Sequence, residues 1–167
     1  YSFGEINING NCSNRTRLKS NTGGVQVPIV TANAVTTSYA VIKDINASGT
    51  GPFSFTNSLD GGNVTGWSIT SDTGNLYWVG GAGNWSDANH WYLTSGGTSA
   101  SCIPSQGDNV FFDVNSFTAS NQSVNLDVVA YCQNMVWNNV NSPEITGNKL
   151  LNVYGSMVLA PNLEWNQ

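Results

Sequence analysis

The stretch that decides the fold spans residues 108–137 and reads DNVFFDVNSFTASNQSVNLDVVAYCQNMVW. Apolar residues alternate in short groups, such as Val124, Leu126 and Val128, and each group is followed by Asn, Ser or Asp. This pattern is typical of short β-strands separated by tight corners. The groups continue to the end of the chain with a spacing of roughly twenty residues, two or three strands to each repeat. That spacing favours a parallel β-solenoid, in which each rung is stabilised by its neighbours.

The rest of the chain also predicts an all-β protein, without a helical period in any window of helix length. Earlier period-two groups are Ile6 and Ile8; Val25, Val27 and Ile29; Phe53 and Phe55; and Trp67 and Ile69. Asn side chains at repeated corners are expected to form ladders along a stack of rungs. A β-sandwich gives the same alternation with a turn every 8 to 12 residues. The β-sandwich therefore stays open as the alternative fold.

Residues 77–91, YWVGGAGNWSDANHW, place three Trp and three Gly within fifteen positions. Glycines allow positive-φ turns and close backbone approach, so large aromatic rings can fold onto one another there. The run predicts a compact aromatic junction over residues 76–104. We accordingly expect residues 1–75 to end one β repeat unit, and residues 76–167 to hold the junction and the start of a new solenoid unit.

The composition limits the classes of partner. Only 9% of the residues are charged, and the net charge is -5. Electrostatic binding to nucleic-acid phosphates or to an anionic membrane is disfavoured, whereas a basic partner or neutral glycans fit better. The abrupt start at Tyr1 and stop at Gln167 suggest a segment excised from something larger.

The three cysteines, Cys12, Cys102 and Cys132, include no C-x-x-C pair, which argues against zinc or thioredoxin-like chemistry. We expect an exported protein. The span from Cys102 to Cys132 is long enough to fold back as a strand pair or one solenoid turn, and closing it would stabilise the fold by roughly 3 kcal/mol. Cys12 would then be left without a partner.

The order of motifs resembles very large surface proteins of gliding bacteria, which the type IX pathway secretes and some of which are gliding adhesins. The matching segments are residues 78–87, 89–91, 95–97, 102–104, 108–113, Cys132 with Met135 and Trp137, and 154–156. The first portion matches the same proteins at 39–45, 53–60 and 66–69, and the first forty residues match weakly. A looser form of the Gly-Asn-Trp-Ser-Asp turn also occurs at the start of β-solenoids in autotransporter-like passengers.

The resemblance implies a non-enzymatic segment of a cell-surface adhesin or filament of a Gram-negative bacterium. Its implied partners are neighbouring repeats of the same long chain, surface glycans or abiotic surfaces, and the export and outer-membrane machinery. The implied site roles are structural: Trp78, Trp85 and Trp91 cap the open end of a solenoid. Asp87 binds backbone N–H groups in the turn, and Cys102 bridges to Cys132.

A carbohydrate-binding module is the alternative from another class, because six Trp and six Tyr offer rings on which sugars can stack. Trp137 and Trp165 are the candidates for glycan contact. Trp137 lies in a strand whose phase is ambiguous, and Trp165 lies near the end of the chain.

Metal and catalytic sites have weaker support. Residues 60–63 (DGGN) and 71–75 (SDTGN) offer oxygen ligands for calcium in tight turns, although Asx turns explain both segments more simply. His90 is the only histidine, so a histidine cluster within this chain is excluded. The carboxylates that a glycoside hydrolase would need are Asp113, Asp127, Glu144 and Glu164, and their neighbours suggest outward or corner positions. We therefore predict that the protein is not an enzyme and that it has no required cofactor.

Overall fold

The computed structural model describes residues 6–71 and 73–166, which form short strands and one 3₁₀ turn. The strands stack in parallel as a β-solenoid of about 7 turns, which confirms the predicted fold class over the β-sandwich. The chain divides into two compact units, Tyr1–Asp72 and Thr73–Gln167. The boundary expected from the sequence, between residues 75 and 76, lies beside this division. No helix in the described part of the chain is both long and apolar enough to span a membrane.

The first unit is a three-sided solenoid. Its strands are β1 (Ile8–Asn9), β2 (Thr16–Lys19), β3 (Val27–Val30), β4 (Val35–Ser38), β5 (Ala40–Lys43), β6 (Ile45–Ser48), β7 (Phe53–Asp60), β8 (Val64–Thr65) and β9 (Ser68–Ser71). One side runs β1-β4-β7-β9, the second β2-β5-β7 and the third β3-β6-β8, with every pair parallel. Long β7 bends between two sides, so it pairs with both β4 and β5.

Left-handed residues turn the chain at the corners of this unit. Tyr39 and Asn57, both at φ 50°, occupy the same corner of consecutive rungs. Glycine is required where a corner touches the previous rung. A Cβ on Gly49 would lie 1.9 Å from the Thr31 carbonyl oxygen, and a Cβ on Gly66 would lie 1.9 Å from the Ala47 carbonyl oxygen. Close stacking of backbone therefore selects these glycines.

Alternate residues of the first unit point inward, and they build its core. The cluster contains Ile29, Val35, Ala40, Ile42, Ile45, Ala47, Phe53 and Phe55. Trp67 lies against it, stacked on Phe55 with ring centroids 4.0 Å apart. Most of these core side chains are β-branched or aromatic, which suits a pleated surface.

The second unit is also a parallel stack, apart from one antiparallel edge strand, and its rungs are longer. Its strands are β10 (Asn75–Trp78), β11 (Gly83–Asn84), β12 (Trp91–Tyr92), β13 (Asn109–Phe112), β14 (Ser123–Leu126), β15 (Ala130–Cys132), β16 (Met135–Trp137), β17 (Glu144–Gly147), β18 (Leu151–Val153), β19 (Met157–Val158) and β20 (Glu164–Trp165). They form three sides, β12-β10-β13-β16-β19, β11-β14-β17-β20 and β15-β18. Val124 pairs with Ile145, a repeat of 21 residues, so the predicted period is confirmed.

An asparagine ladder runs along one corner of the second unit. Asn109 Nδ2 donates to Asn75 Oδ1 at 3.0 Å, and Asn134 Nδ2 donates to Asn109 Oδ1 at 2.7 Å. The Ser156 backbone N–H extends the series by donating to Asn134 Oδ1 at 2.8 Å. The ladder expected from the Asn-rich corners is therefore present, and it ties four successive rungs together.

Candidate functional site

The tryptophan junction forms the end layer of the second unit's core. Strand β12 lies antiparallel to β10 and covers its outer edge, with Trp91 paired to Trp78. Trp78, Trp85 and Trp91 are at most 1% exposed. Trp91 contacts Trp85 and Trp78 edge-on, with centroid distances of 4.8 and 5.1 Å. Edge-to-face packing is the favoured geometry for aromatic pairs, so the three rings form one rigid layer.

Two of the three indole N–H groups in this layer donate to backbone carbonyls. Trp78 Nε1 donates to the Gly81 carbonyl at 2.7 Å, and Trp91 Nε1 donates to the Trp85 carbonyl at 3.0 Å. Both acceptors belong to the glycine-rich turn itself. The turn and the rings therefore specify each other, because a buried polar group without a partner costs stability.

His90 fills the space that the glycines leave open. Its ring stacks on Trp78 at 4.4 Å and 5°, and Nδ1 lies 2.7 Å from the Val79 carbonyl oxygen. Since a carbonyl only accepts, Nδ1 carries the hydrogen. A Cβ on Gly83 would lie 2.1 Å from His90 Nε2, and Gly80 adopts φ 99°. The single histidine is thus a packing element of the junction.

Asp87 has the hydrogen-bonding role that the resemblance implied. It precedes the 3₁₀ turn Ala88–His90, and its Oδ1 accepts from the Asn89 backbone N–H at 2.9 Å. Asn89 Nδ2 donates to the same oxygen at 2.9 Å, and the two hydrogen bonds hold the pKa of the Asp87 carboxyl below its usual range. Asp87 therefore fixes the start of the short turn that leads into Trp91.

The structure contradicts the predicted Cys102–Cys132 bridge. Cys132 is a free, buried thiol on β15, and burial raises its pKa to about 12. Cys102 and Cys12 are both disulfide-bonded. The prediction was wrong because it did not take into account which face of β15 carries Cys132. Cys132 and Ala130 both point inward, into the core, where an apolar environment suits a neutral thiol.

Trp137 was wrongly predicted as a surface contact. It is 2% exposed and stacks on Phe112 with ring centroids 3.7 Å apart. Register explains the position, because β16 pairs in parallel with β13 and places Trp137 beside Phe112. A sugar could reach this ring only if the core opened.

Trp165 lies on the last described rung, at 41% exposure. Its cross-strand partner Ile145 is 1% exposed, so Trp165 occupies an inward position that no following strand covers in the described chain. Met157 repeats the pattern at 39% exposure, against 0% for its partner Met135. We call β19 and β20 the terminal rung. Its exposed apolar side chains continue the core column of the preceding rungs.

An outward aromatic pair was missed from the sequence. Tyr77 and Phe111 are cross-strand partners on the outer face of β10 and β13, with stacked rings 4.9 Å apart. The triplets Leu76-Tyr77-Trp78 and Val110-Phe111-Phe112 are apolar throughout, which hides the alternation of faces. The inward aromatics next to them, Trp78 and Phe112, are the signal that could have revealed the phase.

The candidate metal and catalytic carboxylates have structural partners. Asp60 Oδ1 accepts from the Gly62 N–H at 2.7 Å, which is an Asx turn, while Asp72 lies outside the described residues. Asp127 Oδ1 accepts from the Ser86 N–H at 3.1 Å, and Asp113 Oδ1 from the Asn115 N–H at 2.9 Å. Residues 6–71 and 73–166 contain no group of three or more His, Cys, Asp or Glu placed to hold a metal ion.

Glu144 and Glu164 are the remaining candidate carboxylates, and they are direct cross-strand partners on β17 and β20. With Asn121, Ser142 and Pro143 they line an open polar depression on the surface.

The chain was compared with known families and proteins. No family model, curated protein or solved structure matches it. The residues and their geometry therefore carry the functional argument alone.

Proposed function

We propose that this chain is a non-enzymatic structural segment of an exported cell-surface adhesin or filament that acts in surface adhesion or gliding. The observation that carries the proposal is the terminal rung, where inward positions are apolar yet exposed. Met157 and Trp165 continue columns that are buried one rung earlier. A rung cannot bury its own inner face, so this surface suits stacking against a neighbouring repeat of a longer solenoid.

The mechanical properties of the fold support the same role. Parallel strands hydrogen-bond each rung to the next, and the asparagine ladder adds side-chain bonds along the same axis. The tryptophan junction seals the opposite end of the second unit behind the edge strand β12. Such a stack suits a stalk that holds a binding surface away from the cell.

Export is supported by the cysteines, because Cys12 and Cys102 are disulfide-bonded and disulfides persist in oxidising compartments. The sequence resemblance extends this proposal. It adds placement on the surface of a Gram-negative cell, type IX secretion and a role in gliding.

The test uses cells that carry the natural protein. Antibody against residues 73–166 should label intact cells, and its Fab fragments should reduce attachment of the cells to glass or glycan-coated beads. Fab fragments against a periplasmic protein are the matched control. Labelling only after permeabilisation, with all three cysteines reduced in lysates trapped with iodoacetamide, would contradict the proposal.

A carbohydrate-binding module is the second candidate, favoured by the exposure of Trp165. A partly exposed indole offers an apolar face on which a sugar ring can stack. Glycan-array binding that is lost in Trp165→Ala and kept in Leu150→Ala, a control at an exposed apolar residue of the same unit, would favour this function. Equal binding by both variants would remove Trp165 from consideration.

A further inference from the structure

Positive charge is concentrated in the first unit, although the whole chain is acidic. Of the five Lys and Arg residues, only Lys149 belongs to the second unit. The others are Arg15, Arg17, Lys19 and Lys43. The net charge of -5 therefore hides an uneven distribution. Local charge, rather than the net value, decides which ligands a surface attracts.

Three of these cations project from the same side of the solenoid. Strands β2 and β5 pair in parallel with Lys19 beside Lys43 and Arg17 beside Val41. The alternate residues Ala40 and Ile42 are fully buried, so the cations occupy the outward positions. Arg17, Lys19 and Lys43 are all exposed. We call these three residues the basic face.

Arg15 extends the basic face at the adjoining corner. Its guanidinium lies 5.6 Å from the centroid of the Tyr39 ring, and Nη1 donates to the Asn57 carbonyl at 2.6 Å. These contacts hold the positive charge in place across neighbouring rungs. Less side-chain freedom is then lost when an anion binds nearby.

The pairing of Lys19 with Lys43 is unfavourable for the protein alone. In-register neighbours on adjacent strands are about 4.8 Å apart at the backbone, and like charges in that position repel.

The first unit has four acidic residues, Glu5, Asp44, Asp60 and Asp72, against its four cations, so the basic face is a local excess on a unit with no net charge. After the hydrogen bond from Asn63, Lys43 also helps to lower the pKa of the neighbouring Asp44, and this attraction offsets part of the repulsion. Asp44 is buried and accepts from Asn63 Nδ2 at 2.8 Å, and exposed Asp60 is held by the Gly62 N–H. An external anion would relieve the repulsion.

We propose that the basic face binds an anionic polysaccharide through its carboxylate or sulfate groups. Three outward cations on two adjacent strands suit an extended chain with charges at intervals along it. The inference deepens the proposed surface function by naming a ligand class, yet it rests on the first unit alone. Its failure would leave the solenoid-segment proposal standing.

Nucleic acid is the less favoured polyanion. The described acidic residues of the second unit are Asp87, Asp108, Asp113, Asp127, Glu144 and Glu164, against a single lysine. These carboxylates repel a densely charged phosphate backbone, and three exposed cations release few counterions from it. A polysaccharide with sparser charge avoids much of this repulsion.

The test measures binding of the whole chain to immobilised polygalacturonate and chondroitin sulfate by biolayer interferometry at several salt concentrations. Neutral dextran and double-stranded DNA are the comparison ligands. We expect binding to at least one acidic polysaccharide that weakens as salt rises, and none to neutral dextran. Each of Arg17→Gln, Lys19→Gln and Lys43→Gln should weaken binding by about threefold. The triple variant should lose about 30-fold.

Lys149→Gln is the matched control, because it removes the same charge from the second unit. It should leave binding within twofold of the unmodified chain. Circular dichroism spectra of all variants should overlay, since the three side chains of the basic face are exposed. Equal loss in Lys149→Gln, tighter binding to DNA than to either acidic polysaccharide, or no binding to either one would overturn the proposal.

Discussion

Replacing Gly83 by alanine tests whether the tryptophan junction depends on space for His90. The added Cβ would lie 2.1 Å from Nε2, 2.6 Å from Cδ2 and 2.8 Å from Cε1 of His90. The ring cannot move away without cost, because it is stacked on Trp78 and bonded to the Val79 carbonyl. Gly83→Ala should therefore expel the ring from its site.

The magnitude follows from the two contacts that would be lost. An aromatic stack contributes about 0.5–1.5 kcal/mol and a hydrogen bond about the same amount. The variant should lose about 1–3 kcal/mol of unfolding free energy. For a chain of this size, in which each kcal/mol shifts Tm by about 2–4 °C, that loss lowers Tm by about 2–12 °C.

The assay is thermal unfolding followed by near-ultraviolet circular dichroism, which reports the packed tryptophans. Gly23→Ala is the control, since a Cβ there meets nothing within 4 Å. It should leave Tm unchanged or slightly raised, because alanine restricts the unfolded chain. The decisive comparison is a double-mutant cycle with His90→Ala. If Gly83→Ala costs as much without the imidazole as with it, the steric explanation is refuted.

Three further predictions concern the core, the corners and the ladder. Cys132 should be unreactive to Ellman's reagent in the native protein, because burial raises its pKa to about 12. Denaturation without reductant should expose one thiol per chain. Three reactive thiols would contradict this assignment. Asp44→Asn should destabilise the protein at neutral pH. The hydrogen bond from Asn63 lowers the pKa of Asp44 in the folded protein, so the stabilisation by the ionised carboxylate is complete at pH values above 3.8 and disappears as the pH falls through the lower folded-state pKa. The unfolding free energies of the unmodified protein and Asp44→Asn, measured in urea, should therefore converge in acid. A difference that stays constant with pH would contradict this linkage. Asn109→Ala breaks two ladder bonds and should cost about 1–3 kcal/mol in urea unfolding, whereas Asn138→Ala, at an exposed position outside the ladder, should cost under about 0.5 kcal/mol.

The period and the ladders were predictable because both depend on local repetition. Short alternating groups such as Val124 and Leu126 indicate which face is inward, and stacking then follows from the need of each rung for a neighbour. The glycine-rich run around Gly83 likewise indicates close approach of large rings. Its partner, the His90 imidazole, becomes evident only when the turn has folded back.

The faces of apolar triplets were harder to assign from sequence. Met135, Val136 and Trp137 are all apolar, so alternation alone does not distinguish inward from outward residues. Pairing with the preceding rung decides the phase and buries Trp137 on Phe112. The same uncertainty of face led to the wrong bridge, because inward Cys132 cannot be recognised before the register is known.

Charge placement could not be deduced from composition. Lys19 and Lys43 are far apart in sequence, and only the rung register brings them side by side. Their positions fall on consecutive rungs of a unit whose period the sequence shows less clearly than that of the second unit. The net charge therefore predicted weak binding to anionic partners, whereas the folded surface carries a local cluster of positive charge, the basic face.

The most direct measurement of the central claim, that the terminal rung accepts another rung, is to extend the chain by one. A copy of residues 148–155 followed by a copy of residues 134–155, with the copied tryptophan changed to phenylalanine, is appended after Gln167 to complete one rung and add the next. The emission of Trp165, obtained by difference from matched Trp165→Phe proteins, should shift to shorter wavelength, and Tm should rise. An extension whose copied Met135, Trp137 and Ile145 positions are all serine is the control. If both extensions leave Trp165 emission and Tm unchanged, the exposed apolar end does not accept a further rung, and the proposed solenoid segment loses its main support.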